Sequence, residues 1–249
     1  MHSINMHSIK SHRTMKKTLS ILALLCCTSL ISCSKEKKTE ELPTSITLDK
    51  EGRIMHHGET IQLNATPSRG IAFTSEDKNI ASVSSSGLVR ATLIGKTRIV
   101  ASAGSAVAYC EIDVRPTIIN LPEPLLLFGR NIEEIQQLFD ATYPQARYEV
   151  IHEEGAFARS FPNYKVENQR IPLYVIYRSD DNENLTSVTY RTISRRNILK
   201  EYTQERYLFT NREIKSKNEY FSVDERIKVL VSAHTADYYD AIFTHGPRP

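Results

Sequence analysis

His234, Asp237, Asp240 and His245 fall within one short stretch near the end of the chain. Imidazole and carboxylate together are the groups that hold zinc or another divalent metal. Their spacing fits no metal motif, since there is no His-Glu-x-x-His and no Cys-x-x-Cys pair. A second pairing sets Glu153-Glu154-Gly155 against the stretch Asp180 to Glu183. Glycoside hydrolysis needs two such carboxyl groups at a set separation across a cleft, but both stretches read as loops, where solvated turns are expected. A serine nucleophile lacks support: no Gly-x-Ser-x-Gly elbow occurs, and Ser232-Ala233-His234 stands alone. Cys110 has no histidine near it in sequence and reads as a small buried apolar group. His56-His57 adjoin a turn and suit a solvated loop. Arg195-Arg196 and Lys215/Lys217 are expected to be solvated or paired with Glu201, Glu205 and Glu213. These residues give no catalytic, cofactor or metal assignment.

The elements that would position the C-terminal candidates come from residues 125–249. Asn131 can cap a helix running to Thr142, with Glu133 and Glu134 in its first turn and Ile132, Ile135, Leu138 and Phe139 along one side. Strands are expected at Arg147–His152, Leu173–Arg178 and Thr186–Thr192, the last two joined by a hairpin through Asp180–Asn184. Ser194 opens a second helical pattern with Ile198, Leu199 and Tyr202. Further strands follow near Glu219–Val223, Ile227–Ala233 and Tyr238–Phe243. The segment reads as an α+β domain, an antiparallel sheet with two helices on one face. Helix-then-three-strands occurs twice, so a duplicated α-β-β-β unit stands as an alternative description. Pro116 to Pro124 holds three prolines and marks a boundary before this domain.

Residues 45–115 are of another kind. Short alternating runs at Ile46–Leu48, Ile61–Ala65, Ile71–Thr74, Ile80–Val83, Leu88–Ala91, Arg98–Ala101 and Val107–Val114 are broken by glycine and serine turns. That is the pattern of an all-β sandwich. Gly58-Glu59-Thr60-Ile61-Gln62-Leu63, Phe73-Thr74-Ser75-Glu76-Asp77, Ile80-Ala81-Ser82-Val83, Ser86-Gly87-Leu88-Val89 and Gly95-Lys96-Thr97-Arg98-Ile99 follow one another in order. In order and spacing this segment resembles the group 2 bacterial Ig-like domain, although that family often has Trp where this chain has Phe73. The resemblance implies an Ig-like sandwich with Ile80, Val83, Leu88 and Ile99 between its sheets and tight turns at Gly87 and Gly95. Such domains serve as spacers, adhesive modules or companions of catalytic domains, so the fold alone assigns no role.

The N-terminus supplies an address. Met15-Lys16-Lys17 is a short positive stretch, and Leu19 to Ile31 is apolar but shorter than the ~20 residues of a permanent span. It ends in Leu30-Ile31-Ser32-Cys33, which resembles the lipobox of bacterial lipoproteins. That resemblance implies cleavage before Cys33, so that residues 1–32 are a signal peptide with Met15 the better start. It also implies diacylglycerol on the Cys33 thiol and acylation of the new amino group. Two or more chains anchor stably where one does not. Residues 33–44 then form a polar tether. Ser34 to Thr44 also resembles the surface-export signals of some Bacteroidetes lipoproteins, so the expected place is an outer membrane, on its periplasmic or cell-surface face.

Cleavage changes the charge. The net +3 comes from 32 basic and 29 acidic residues. Lys10, Arg13, Lys16 and Lys17 leave with the signal, so the mature chain carries 28 basic against 29 acidic residues, a net −1. Composition therefore gives no ground for a nucleic-acid partner. Cys26 and Cys27 also leave, Cys33 is lipidated and Cys110 stands alone, so no disulfide is expected. Eleven of the twelve tyrosines lie beyond Val114; they could form a binding face or simply cover a half-exposed sheet. The expected function is a lipid-anchored envelope protein in which an Ig-like module presents an α+β domain that binds a glycan or a surface protein. The alternative is an envelope hydrolase with its active site in residues 125–249.

Overall fold

A computed structural model describes residues 43–166, 169–193, 197–232 and 238–247. The proposed signal, Cys33 and most of the tether lie outside the described residues, as do Ser194, Arg195, Arg196, His234 and Asp237. The chain is mostly β-structure with two helices among the described residues, and its sheets are largely antiparallel.

The first nine strands are β1 (Thr47–Leu48), β2 (Gly52–His56), β3 (Thr60–Gln62), β4 (Ala65–Thr66), β5 (Ala72–Ser75), β6 (Ala81–Val83), β7 (Leu88–Ala91), β8 (Gly95–Ala103) and β9 (Ala106–Arg115). They form a four-stranded sheet β2-β9-β8-β5, a three-stranded sheet β3-β7-β6 and the pair β1-β4. Met55, Val89, Ile99, Cys110 and Ile112 come from both larger sheets and share one core with Leu63. Strand β2 is absent from the expected set. It pairs parallel to β9 at the sheet edge and buries Met55 while leaving Ile54 half exposed, so it carries no apolar alternation. The boundaries of β7 match expectation, but its facing is inverted. Leu88 is 45% exposed, whereas Val89 is fully buried. A one-residue shift in reading a strand exchanges its two faces.

The remaining elements are α1 (Ile132–Thr142), β10 (Arg147–Glu149), β11 (Ala156–Val166), β12 (Gln169–Ser179), β13 (Leu185–Thr192), α2 (Ile198–Gln204), β14 (Leu208–Ile214), β15 (Lys217–Phe221), β16 (Ile227–Ser232) and β17 (Tyr239–His245). Asn131 caps α1 as expected, its side-chain oxygen accepting from the Glu133 and Glu134 amides. Four strands, not three, follow each helix. The strands missing from the sequence reading, β11 and β14, both carry irregularities. The β11 register shifts between Phe161 and Tyr164, around Pro162, and the β14 register shifts between Phe209 and Glu213, where Asn211 has φ +58°. A bulge breaks the two-residue period by which a strand is read. The eight strands form one sheet, β10-β11-β12-β13-β17-β16-β15-β14, whose order reads as two four-strand meanders joined through their last strands.

Both helices bury their apolar sides in one core with Leu173, Val175, Tyr177, Val188 and Phe243 of that sheet. The tyrosines belong largely to this core. Tyr164, Tyr177, Tyr190, Tyr202, Tyr220 and Tyr239 are buried, which removes the idea of a tyrosine-covered binding face. Their hydroxyls hold the proline-rich segment in place. Tyr177 Oη accepts from the Leu125 amide at 3.0 Å, and Tyr190 Oη donates to the Pro122 carbonyl at 2.9 Å. Tyr202 Oη donates to the Glu123 carboxylate at 2.5 Å. Ile118 and Leu121 are buried in the same core, so the expected boundary is a packed strap.

Helix α1 is fastened to the sheet by one ion pair. Arg159, 3% exposed at its side chain, donates to both carboxylate oxygens of Asp140, at 2.7 and 2.8 Å, and lies over the Tyr148 ring. The guanidinium holds the Asp140 carboxyl below the usual carboxylate range. A lowered folded-state pKa contributes stability above the unfolded value and loses it as pH falls through the folded one. Asp140→Asn is expected to destabilise by roughly 2–3 kcal/mol at pH 7, toward the low end for a buried pair because Asp140 is partly open to solvent. Urea unfolding should show that difference shrinking as pH drops below about 4. A penalty that stays constant down to acid pH would contradict the assignment.

Candidate functional site

The four residues singled out as metal ligands do not converge where they are described. Asp240 and His245 lie on β17 five residues apart, on opposite faces and about 17 Å along the strand. Both Asp240 carboxylate oxygens are taken by Arg191, at 2.8 and 3.0 Å. The His245 ring packs on Phe128. Among the described residues no three histidine, cysteine or acidic groups are placed to share a metal ion.

The second pairing is partly brought together. Gly155 O accepts from both the Ser179 amide and its hydroxyl, which sets the β10–β11 loop beside the β12–β13 turn at one end of the sheet. Several of its acids are engaged locally. Glu153 accepts from Arg178 at 2.6 Å, and Asp180 accepts from the Asn182 and Asn184 amides, as a turn-capping carboxylate does. Glu183 turns the chain with φ +60° and offers its carbonyl to the Ile132 amide at the start of α1.

The remaining candidates serve structure. Ser232 Oγ accepts from the Asp240 amide at 3.0 Å. Cys110 is fully buried, and burial pushes its thiol above the usual range, away from a nucleophilic thiolate. His56 Nδ1 bonds the Arg115 carbonyl at 2.9 Å and His57 Nδ1 bonds the Thr92 carbonyl at 2.5 Å, so this pair ties a turn to its neighbours. Glu205, expected as a surface partner of basic residues, is instead 2% exposed at the end of α2. It accepts from the Thr117 amide at 2.9 Å, the Thr117 hydroxyl, the Ile118 amide at 3.4 Å and Arg206 at 3.3 Å. The Glu205 carbonyl also accepts from the Ile94 amide at 2.8 Å. One residue thus joins the β7–β8 loop, the strap and α2. Its partners lie 87 and 88 residues away, and no local signal in the sequence marks it.

Concavities lie on both the N-terminal and the C-terminal part. A groove of about 730 Å³ crosses the outer face of the four-stranded sheet. Its lining mixes Lys96 and Arg98 with Glu76, Glu111 and Asp113, and Arg98 is already paired with Glu76 at 2.8 Å. A smaller pocket of about 460 Å³ lies between the strap, the end of α1 and the outer half of β11. Tyr143, Phe161 and Tyr164 form its walls with Pro122 and Pro162, while Asn120, Gln145, Arg147 and Lys165 edge it. Its volume falls in the range of small-ligand sites, roughly 300–1,000 Å³.

No family model matches the chain, and no curated protein matches it. Solved structures of the S-layer protein SbsC share local similarity with it. Domains 4 and 5 are 22% identical over 30% of this chain and 52% of that one, at a TM-score of 0.24. Domains 5-6 are 14% identical over 84% of this chain and 86% of that one, also at 0.24. The chain thus spans about half of the first of these. At such TM-scores the backbones do not superpose as whole folds, and the likeness implies no shared role.

Proposed function

We propose that the chain is a lipid-anchored, non-enzymatic protein of a bacterial cell envelope, in which residues 45–115 act as an Ig-like module presenting a C-terminal α+β unit that binds a ligand. The observation that carries the anchor is the sequence Leu30-Ile31-Ser32-Cys33 at the end of an apolar stretch preceded by two lysines. The polar tether after Cys33 separates the lipid from the folded part. The palindromic strand order, with a helix leading each half, favours a duplicated α-β-β-β-β unit for the C-terminal part. The non-enzymatic part of the reading is supported by the way the acidic candidates are used: Asp240, Glu153 and Asp180 each hold an arginine or a turn.

Expression of the full chain and of Cys33→Ser in a bacterium with a lipoprotein pathway tests the reading. The unaltered chain should sediment with the envelope and require detergent for release, whereas Cys33→Ser should appear largely in the soluble fraction. A variant that stays as firmly bound as the parent would contradict it.

A further inference from the structure

The pocket beside β11 has the chemistry of a site for an acidic sugar. Its rim offers donors and no acid: the lining contains Arg147 and Lys165 with the amides of Asn120 and Gln145, but neither Asp nor Glu. Among the described residues none of these four side chains has a hydrogen-bond or ion-pair partner, whereas Arg159, Arg178 and Arg191 of the same sheet each hold an acid. Two cations set around one concavity with no counter-charge favour an anionic occupant. The walls are aromatic. Tyr143, Phe161 and Tyr164 supply rings, Tyr143 meeting Phe161 edge-on at 5.9 Å between centroids.

The backbone beside the pocket selects against an extended peptide. Strand β10 pairs only with residues 158–160 of β11, which leaves 161–166 unpaired on that side among the described residues. Pro162 lies in that free edge and the register shifts around it. A proline without N–H and a bulge are devices that spoil an edge for strand addition. What remains is a compact ligand with a carboxylate, an apolar face and hydroxyls. A uronic acid residue has all three: its carboxylate can meet Arg147 and Lys165, its C–H face a ring, and its hydroxyls the two amides.

We propose that this pocket binds a uronate unit of an acidic polysaccharide. The inference rests on the binding half of the function above and not on the anchor, so a chain that fractionates as a lipoprotein yet fails the following test would overturn this site alone.

Calorimetric titration of the full chain in mild detergent should use galacturonate trisaccharide, the neutral galactose trisaccharide, acetate and a triglutamate peptide. The uronide should bind, with the neutral sugar, acetate and the peptide each weaker by about tenfold or more, the equivalent of one lost charge-assisted hydrogen bond. Arg147→Ala/Lys165→Ala should lose uronide affinity by about the same factor or more while unfolding at the parent's temperature, since both residues are exposed. Saturation-transfer NMR should place the sugar C–H protons against aromatic protons. No uronide binding, equal binding of the neutral sugar, tighter binding of triglutamate, displacement by equimolar acetate, or unchanged affinity in the double variant would each overturn the proposal.

Discussion

Glu205→Ala is expected to lower the unfolding free energy by roughly 3–5 kcal/mol, the range for removing one partner from a buried, hydrogen-bonded charge. The carboxylate is 3% exposed at its side chain and accepts from two amides, a hydroxyl and a guanidinium. Alanine would leave the Thr117 and Ile118 amides without acceptors, each stranded group costing about 1–3 kcal/mol. Glu205→Gln keeps an oxygen for Thr117 but loses the charge opposite Arg206, and should fall between the two. Urea unfolding measures the total, and amide exchange locates it. Thr117 and Ile118 should lose protection first. Ile94, whose amide meets the Glu205 carbonyl and not the side chain, should follow only if the joint itself opens. An alanine variant within about 0.5 kcal/mol of the parent, the range of ordinary surface changes, would show that the carboxylate does not hold the strap.

Gly87→Ala should be nearly as damaging, for a different reason. Gly87 has φ +84°, and a Cβ there would lie 2.5 Å from the Leu63 carbonyl oxygen and 3.1 Å from Phe73 Cζ. The first neighbour is backbone, and it accepts no rearrangement without moving the Leu63–Gly87 hydrogen bond. Left-handed backbone costs alanine about 1–2 kcal/mol, and the forced contact adds about 1–3 kcal/mol. Gly58 separates the two contributions. It has nearly the same φ, +82°, with nothing within 4 Å of its added Cβ. Gly58→Ala should therefore show only the conformational part, about 1–2 kcal/mol. Thermal or urea unfolding of the two variants side by side checks this; equal losses would mean that the Leu63 contact is relieved.

Period and distance decide which features of this chain are legible in its sequence. Helix α1 was readable because Asn131, the two glutamates and the buried Ile132, Ile135 and Phe139 lie within one local pattern. Leu138, on the same expected stripe, is 45% exposed, so the stripe is narrower than the pattern suggests. The β12–β13 hairpin was readable from its polar turn. Strands β11 and β14 were not, because each is broken by a bulge, and β2 was not, because it buries a single apolar residue. Leu88 and Val89 show how a strand can be placed correctly and faced wrongly when both neighbours are apolar. The tyrosines gave composition but not direction. Their hydroxyls are accommodated inside the core by a carbonyl, an amide and a carboxylate of the strap, which no local pattern foretells. The uronate pocket is of the same kind. Asn120, Gln145, Arg147 and Lys165 are ordinary surface residues in sequence and become neighbours only once the strap is laid beside β11.

The proposed anchor on Cys33 would decide where all of this operates, and the N-terminal peptide of the mature protein tests it most directly. Protein extracted from a bacterial envelope, digested and analysed by mass spectrometry, should yield a first peptide beginning at Cys33, with diacylglycerol on its sulfur and an acyl chain on its amino group. A mature chain that begins at any other residue, or a Cys33 recovered as a free thiol, would contradict the account.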